Sequence, residues 1–182
     1  MKKYQIILAD PPWSFRGYDL KKTARFVGNK YNVQSKQWLM ELPIKNISDA
    51  NCILFMWVTM PKLNEVFDVI DAWGFEFKTV GFTWLKRNKN KDSFFMGMGR
   101  WTRANSELCL IATKGNPKRK NASIPQIIYT PIEYHSKKPD VARKRIEDLM
   151  GDLPRIELFA RQKTEGWDVW GNEVESDIIL TP

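Results

Sequence analysis

The sequence is poor in the residues that most often bind metals or form disulfides. Its 182 residues include one histidine, His135, and two cysteines. Cys52 and Cys109 lie inside apolar runs and have no C-x-x-C partner. This pattern predicts buried free thiols in a reducing compartment and disfavours a zinc site. We therefore expect no metal in the functional site.

Long apolar runs are also missing. No run approaches the roughly 18–20 residues that cross a bilayer, so we expect no membrane association. The N-terminal stretch MKKYQIILAD is basic and then apolar. It ends in an acid, and two prolines and a tryptophan follow it directly. Without a small-residue cleavage site it predicts a first strand and not a signal peptide. The length and the apolar share of 43% are those expected of one globular domain over residues 1–182.

Cations outnumber anions in this chain. The 29 lysines and arginines against 21 acids give a net charge of +8. Composition alone leaves a solvated basic surface and a polyanion partner about equally open. The clusters KRNKNK, residues 86–91, and KGNPKRK, residues 114–120, favour the polyanion. They predict two mobile basic loops that bind phosphates, with Arg100 and Arg103 adding charge beside Trp101.

Strand-like and helix-like segments alternate along the chain. Strands are predicted over residues 4–9, 52–58, 75–85 (one strand or a pair), 107–112 and 155–159, with a short extended piece in 166–173. Helices are predicted over residues 34–41, 61–74 and 139–151, and long loops over about 10–32 and 116–134. This order indicates an α/β fold with a largely parallel sheet flanked by helices. Ligands of such sheets bind beyond the carboxyl ends of the strands, where we expect Asp10 and Ala160–Arg161.

The stretch ILADPPWSFRG, residues 7–17, combines an acid, two prolines and a tryptophan at a strand end. An exocyclic amine of a nucleobase is a poor nucleophile, because its lone pair is delocalised into the ring. Two acceptors for its N–H groups favour a pyramidal nitrogen, and Asp10 and the stiffly held Pro11 carbonyl can supply them. Trp13 can stack on the base. The alternative is a strand end followed by a proline turn, with Trp13 in the core.

This stretch resembles the adenine N6-methyltransferases of the family that includes the mRNA adenosine methyltransferase, whose bacterial and phage members are often small. Four further segments follow in the family's order: LFMWVTMPKLNEVFDVIDAWGFEFKTVGFTWLK (54–86), RANSELCLIATKG (103–115), HSKKPD (135–140) and RIELFARQKTEGWDVWGNE (155–173). The resemblance implies a Rossmann-like class I fold that uses S-adenosylmethionine, with the catalytic motif early and much of the cofactor site late. It also implies a cytoplasmic enzyme of a bacterium or a phage-infected cell, as a monomer or homodimer.

The resemblance assigns roles residue by residue. Asp10, Pro11, Pro12 and Trp13 would form the catalytic motif. Cofactor contacts are implied for Asp10, Lys138, Leu158, Phe159, Arg161, Asn172 and Glu173. Substrate contacts are implied for Trp13, Trp57 and Glu107, and the charge pattern adds Arg100 and Arg103. Core packing is an equal alternative for Trp57, and pairing with Arg103 is an alternative for Glu107.

One feature departs from ordinary methyltransferases and another departs from the family pattern. Phe159-Ala160-Arg161 stands where ordinary methyltransferases have a glycine-rich turn, although family members resemble this chain there. Lys163-Thr164 replaces a His-Asn pair of the eukaryotic enzyme. The first functional hypothesis is methylation of adenine N6 in DNA. The same chemistry on RNA, a non-catalytic nucleic-acid-binding partner with this fold, and a small-molecule amine methyltransferase stay open. The loop that begins with SFRG is predicted to close over base and cofactor.

Overall fold

The structure is a computed structural model that describes residues 2–14, 34–99, 101–134 and 137–182. The elements in chain order are β1 (Tyr4–Ala9), α1 (Lys36–Glu41), β2 (Ser48–Val58), α2 (Leu63–Ala72), β3 (Glu76–Arg87), β4 (Ser106–Lys114), β5 (Ile127–Pro131), α3 (Val141–Met150), β6 (Arg155–Leu158) and β7 (Asp168–Trp170). Short 3-10 turns cover Ile44–Asn46 and Met60–Lys62. Arg100, His135 and most of the predicted loop over residues 10–32 lie outside the described residues.

The described strands form a mixed α/β sheet in the order β5-β3-β4-β2-β1-β6-β7. β1 pairs in parallel with β2 and β6, β6 with β7, and β3 with β5. β4 runs antiparallel to both β2 and β3. Four of the six pairings are therefore parallel, as predicted, and β4 is the reversed strand. A reversed strand follows its neighbour without a helical crossover, and residues 88–105 supply that connection.

The strand order changes direction at β1, near the centre of this sheet. After β1 the chain continues to β2 on one side, whereas β6 lies on the other side of β1 and leads outward to β7. In open α/β sheets ligands bind at such a point, beyond the carboxyl ends of the strands. Asp10 follows β1 and Phe159 follows β6, so both lie at this edge.

Apolar layers cover both faces of the sheet. Ile7 and Leu54 belong to one cluster, and their chain neighbours Leu8 and Phe55 to the other, as the period of two along a strand requires. α2 covers the first layer with Val66, Val69 and Ile70, and α3 covers the second with Ala142, Ile146 and Met150. Each such large aliphatic side chain stabilises the fold by about 1.5–3 kcal/mol on burial.

Most of the predicted elements are confirmed within a few residues. Gly74 (φ 82°) and Gly151 (φ 84°) adopt the left-handed backbone just after α2 and α3, as expected of glycines that terminate helices. β3 is one strand of 12 residues rather than a pair. The prediction of a loop throughout residues 116–134 was wrong, because β5 lies within it. β5 is a short edge strand in which Ile127 and Tyr129 are exposed, and its β-branched and aromatic run IIYT was the signal that the prediction overlooked.

Two composition-based predictions concern thiols and membranes. Cys52 and Cys109 are buried free cysteines, as the sequence predicted. Among the described ranges, the helices are all too short or too polar to cross a bilayer.

Candidate active site

The DPPW turn begins where β1 leaves the sheet. The Asp10 amide donates a weak hydrogen bond to the Leu158 carbonyl (3.5 Å), which joins the ends of β1 and β6. Pro11 and Pro12 have no N–H to continue the ladder. The Trp13 amide donates to the Pro11 carbonyl oxygen at 2.8 Å. This bond fixes the direction of the Pro11 carbonyl and leaves its second lone pair for another donor.

Four charged side chains of alternating sign meet at this edge. Lys138 Nζ lies 2.8 Å from Asp10 Oδ2 and 3.3 Å from Glu107 Oε2. Glu107 Oε1 in turn accepts a hydrogen bond from Lys86 Nζ. All four side chains are mostly buried. We call Asp10, Lys138, Glu107 and Lys86 the charge chain; β3, β4, the end of β1 and the segment before α3 hold it together.

The protonation of the charge chain follows from burial and pairing. Burial raises the pKa of Asp10, and the Lys138 ammonium offsets only part of that rise. Burial also opposes ionisation of Glu107, but Lys138 and Lys86 outweigh it and lower the pKa of Glu107. Burial opposes the charge of Lys138, yet the two carboxylates raise the pKa of Lys138 well above its ordinary value. Of the two carboxyl groups in the charge chain, that of Asp10 is therefore the harder to ionise. Its carboxylate is the one that accepts a proton more readily.

Two indole rings lie beneath the two ammonium groups. Lys138 Nζ is 5.9 Å from the centroid of the Trp57 ring, and Lys86 Nζ is 5.0 Å from that of Trp84. The two rings meet edge to face at 6.4 Å. Both contacts have cation–π geometry, which favours the charged amines. Trp57 is buried in the core, which is the packing alternative, so its contact with a base stays a prediction.

Sequence reasoning missed the roles of Trp84 and Lys86. Lys86 was interpreted as the first cation of a phosphate-binding loop, but it pairs with Glu107 inside the sheet edge. Trp84 is the cross-strand partner of Glu107 in the β3–β4 register. The signal in the sequence was their spacing, since residues two apart in a strand share a face. The alternative that Glu107 pairs with Arg103 was wrong.

Trp13 is buried in the core, which was the alternative to stacking on a base. Its side chain is 5% exposed and belongs to the core, and its indole N–H donates to the Trp57 carbonyl at 3.1 Å. Stacking of a base on Trp13 therefore stays a prediction. This indole hydrogen bond joins the DPPW turn to the end of β2.

The turn after β6 has an unusual backbone. Among the described residues, Phe159 alone of the non-glycine residues has a positive φ, 63°. Bulky residues rarely adopt this left-handed conformation, which glycine adopts without strain. The Phe159 ring packs edge to face on Trp170 at 5.3 Å between centroids. RIELFAR thus makes a tight turn with a strained phenylalanine, where ordinary methyltransferases have a glycine-rich turn.

The turns after β6 and β7 are in direct contact. The Ala160 amide donates to the Trp170 carbonyl at 3.0 Å, and a Cβ on Gly171 would lie 2.0 Å from the Ala160 oxygen. Arg161 Nε lies 3.6 Å from Glu173 Oε1, next to an exposed Asn172. These residues, predicted to bind the cofactor, lie together at the same edge as Asp10. Leu158 is fully buried, so a contact from it would use its main chain.

The predicted phosphate ligand Arg103 is used within the β3–β4 connection. Its Nε donates to the Gly97 carbonyl at 2.8 Å and its Nη2 to the Met96 carbonyl at 3.2 Å. The side chain is exposed, and its role toward substrate stays a prediction. Arg100 lies outside the described residues.

Comparison with known proteins identifies the chain. The sequence profile of the MT-A70 family matches residues 4–173, which include the DPPW turn, the charge chain and both turns after β6 and β7. The chain belongs to the MT-A70 family. MT-A70 membership confirms the resemblance found in the sequence.

Individual relatives agree with the MT-A70 assignment. The chain is 35% identical over 199 residues to the Type II methyltransferase M.MunI of Mycoplasma sp, an alignment that covers 100% of this chain and 82% of that protein. It is 27% identical over 184 residues to the N(6)-adenosine-methyltransferase catalytic subunit METTL3 of Homo sapiens. It is also 27% identical over 186 residues to the N(6)-adenine-specific methyltransferase METTL4 of Homo sapiens. This MT-A70 chain spans only 30% and 38% of those two human proteins.

Proposed function

We propose that this protein transfers a methyl group from S-adenosylmethionine to the N6 amine of adenine in DNA. One observation carries the proposal: in an MT-A70 chain, Asp10 and a fixed Pro11 carbonyl lie side by side at the end of the central strand β1. Two hydrogen-bond acceptors at one strand tip are what an aromatic amine needs to become nucleophilic.

We propose further that the fold is a Rossmann-like class I methyltransferase in permuted order, as one domain over residues 1–182. Asp10 comes early in the chain and Phe159, Arg161 and Asn172 come late, yet β1 and β6 are neighbours in the sheet. That neighbourhood supports a shared site for substrate and cofactor at the point where the strand order diverges.

The residues at this edge suit S-adenosylmethionine. Lys138 can bind the carboxylate of its methionine moiety, and Asp10 can accept from its ammonium group. Phe159 and Arg161 can line the adenosine, and the strained Phe159 backbone supports a functional reason for that turn. Asn172 and Glu173 offer amide and carboxylate oxygens to the ribose hydroxyls, with both side chains exposed. When bound, the cofactor supplies a methyl group on a positively charged sulfur.

The catalytic residues act on the amine. The Asp10 carboxylate accepts one N6–H, and the free lone pair of the Pro11 carbonyl accepts the other. Both bonds favour a pyramidal nitrogen whose lone pair points out of the ring. The nitrogen becomes cationic when the new N–C bond forms, and it must then lose a proton. Asp10 can receive that proton, and the rise that burial causes in its pKa makes it a better acceptor.

Nucleic acid is the proposed partner because the chain carries a net charge of +8. RNA stays the alternative substrate, since an adenine pocket does not read the sugar without a 2′-hydroxyl contact. We also propose a cytoplasmic location, supported by the buried free thiols of Cys52 and Cys109. A monomer or homodimer is proposed as the active species.

A transfer assay tests the substrate. The protein is incubated with methyl-labelled cofactor and matched duplex DNA, single-stranded DNA and RNA, with Asp10→Asn as the inactive control. We expect label in DNA with wild type and none with the variant. Label in RNA alone would move the substrate to RNA. No label in any polymer, together with measurable cofactor binding, would favour the non-catalytic partner.

A further inference from the structure

The connection between β3 and β4 extends from the edge that carries Asp10. β3 and β2 are both antiparallel to β4, so β3 runs parallel to β2 and ends at the same edge. Glu107, at the start of β4, lies in the charge chain. Trp101 precedes Glu107 by six residues, a reach of at most roughly 20 Å in extended chain. We call the described residues 96–99 and 101–104 the hairpin tip.

The hairpin tip has a defined backbone. The Gly97 amide donates to the Ala104 carbonyl at 2.7 Å, and Arg103 returns a hydrogen bond to the Gly97 carbonyl. A Cβ on Gly97 would lie 2.6 Å from the Ala104 oxygen, and one on Gly99 would lie 1.8 Å from the Thr102 oxygen. The two backbone segments of the tip are therefore too close for a side chain at either glycine. This packing holds the outer residues in a fixed presentation.

Large apolar side chains project from the tip into water. Trp101 is 93% exposed and Met98 is 71% exposed. Neither contributes to the core clusters of the described residues. Apolar side chains on a rigid projection are the form in which proteins wedge open stacked bases, and an indole stacks well on any base.

The charge around the tip favours DNA over protein as its partner. Apart from Lys86, which belongs to the charge chain, residues 87–103 contain five lysines and arginines and one acid, Asp92. Cations flanking an apolar wedge bind phosphates on either side of a base step. A second copy of this chain would bring the same cations against each other and would be repelled.

We propose that the hairpin tip inserts Trp101 into the DNA duplex and occupies the space left by the target adenine as it leaves the stack. The proposal rests on the proposed function, because a paired adenine hides its amine and must be extruded before it reaches Asp10. Stacking on the indole replaces part of the stacking that the neighbouring bases lose. Met98 would widen the same base step.

The first test compares turnover on paired and unpaired DNA. Trp101→Ala is assayed on a duplex that wild type methylates and on the single strand of the same sequence, with Trp101→Phe as the conservative variant. We expect Trp101→Ala to lose about tenfold or more of kcat/KM on the duplex and less than about twofold on the single strand, and Trp101→Phe to retain most activity. Ile179→Ala, which removes another large exposed side chain (83%), is the matched control and should change neither. Equal losses on both substrates would overturn the wedge.

The second test does not require turnover. Affinities are measured for an intact duplex and for the same duplex with one abasic position. Wild type should bind the abasic duplex about tenfold more tightly, because no base has to leave and the indole fills the gap; Trp101→Ala should lose that preference. A preference kept by Trp101→Ala contradicts the proposal. So does a shift of Trp101→Ala from dimer to monomer by light scattering, which would make the tip a protein interface. If wild type methylates no DNA, that result by itself refutes the proposed function. The comparison of affinities for the intact and abasic duplexes still decides whether Trp101 acts as a wedge.

Discussion

Removal of the Lys138 ammonium is the sharpest test of the charge chain. Lys138→Met keeps a long apolar side chain above Trp57 but removes the ammonium group that pairs with Asp10. The exposed side-chain fractions are 14% for Lys138, 26% for Asp10 and 12% for Glu107, so solvent screens these pairs only in part. Glu107 retains Lys86, so Asp10 bears most of the loss.

The size of the effect follows from the distances. At an effective dielectric constant of about 20, separations of 2.8 Å and 3.3 Å correspond to attractions of about 6 and about 5 kcal/mol. The cost of burying the charges offsets much of both attractions. Removal of one partner of a buried pair typically costs about 3–5 kcal/mol. For a chain of this size we expect the melting temperature to fall by about 6–20 °C.

The loss of folding stability in Lys138→Met should depend on pH. The lowered pKa of Glu107 contributes stability that is present above its unfolded pKa and disappears as pH falls through the folded value. The raised pKa of Lys138 contributes stability that is present below its unfolded pKa and disappears as pH rises through the folded value. The difference between wild type and Lys138→Met should therefore be largest between neutral pH and about pH 10, should shrink as pH falls through the raised pKa of Asp10, and should be small below about pH 4.

Urea unfolding across this pH range measures the difference. Lys137→Met is the matched control, because the adjacent lysine pairs with the more exposed Glu133 and Asp140, so that its loss should cost at most about 1 kcal/mol. If Lys138→Met unfolds like Lys137→Met at pH 7, the charge chain does not stabilise the fold and the reasoning fails.

Three further predictions concern the DPPW turn and the turn after β6. Asp10→Asn should abolish methyl transfer but lower the melting temperature less than Lys138→Met does, since burial makes the Asp10 charge costly and Lys138 keeps Glu107 as a partner; an equal or larger fall would contradict this. For the same reason, wild-type kcat/KM should fall on the acid side at a higher pH than an ordinary aspartate would cause, and a profile flat down to pH 4 would exclude Asp10 as the acceptor. Phe159→Gly should be more stable than Phe159→Ala by about 1 kcal/mol in urea unfolding, because only glycine relieves the positive φ; the reverse order would argue against strain there.

Strong local periodicity made part of this fold predictable. β1 ends at Ala9 as predicted, and glycines terminate α2 and α3 where the apolar stripes end. β5 was missed because its strand signal, the β-branched and aromatic run IIYT, is only four residues long and is flanked by prolines. It exists because its backbone completes the ladder of β3, a long-range pairing that residue order does not reveal.

The site was predicted in the same uneven way. The order of the motifs predicted that Asp10, Lys138 and the residues after β6 lie at one edge of the sheet, and they lie there in the structure. The link from Glu107 to Lys86 depends on the β3–β4 register, which the sequence alone does not define. The strain at Phe159 was also hidden, because a phenylalanine gives no sign of a positive φ.

Nucleoside mass spectrometry tests the central claim most directly. Duplex DNA is treated with the protein and trideuteromethyl S-adenosylmethionine, digested, and analysed for every methylated base. We expect N6-trideuteromethyladenine with wild type and none with Asp10→Asn, while both proteins bind the cofactor. Label on cytosine, label equal in the two proteins, or no label in any base would contradict the assignment of Asp10 as the residue that holds the adenine amine.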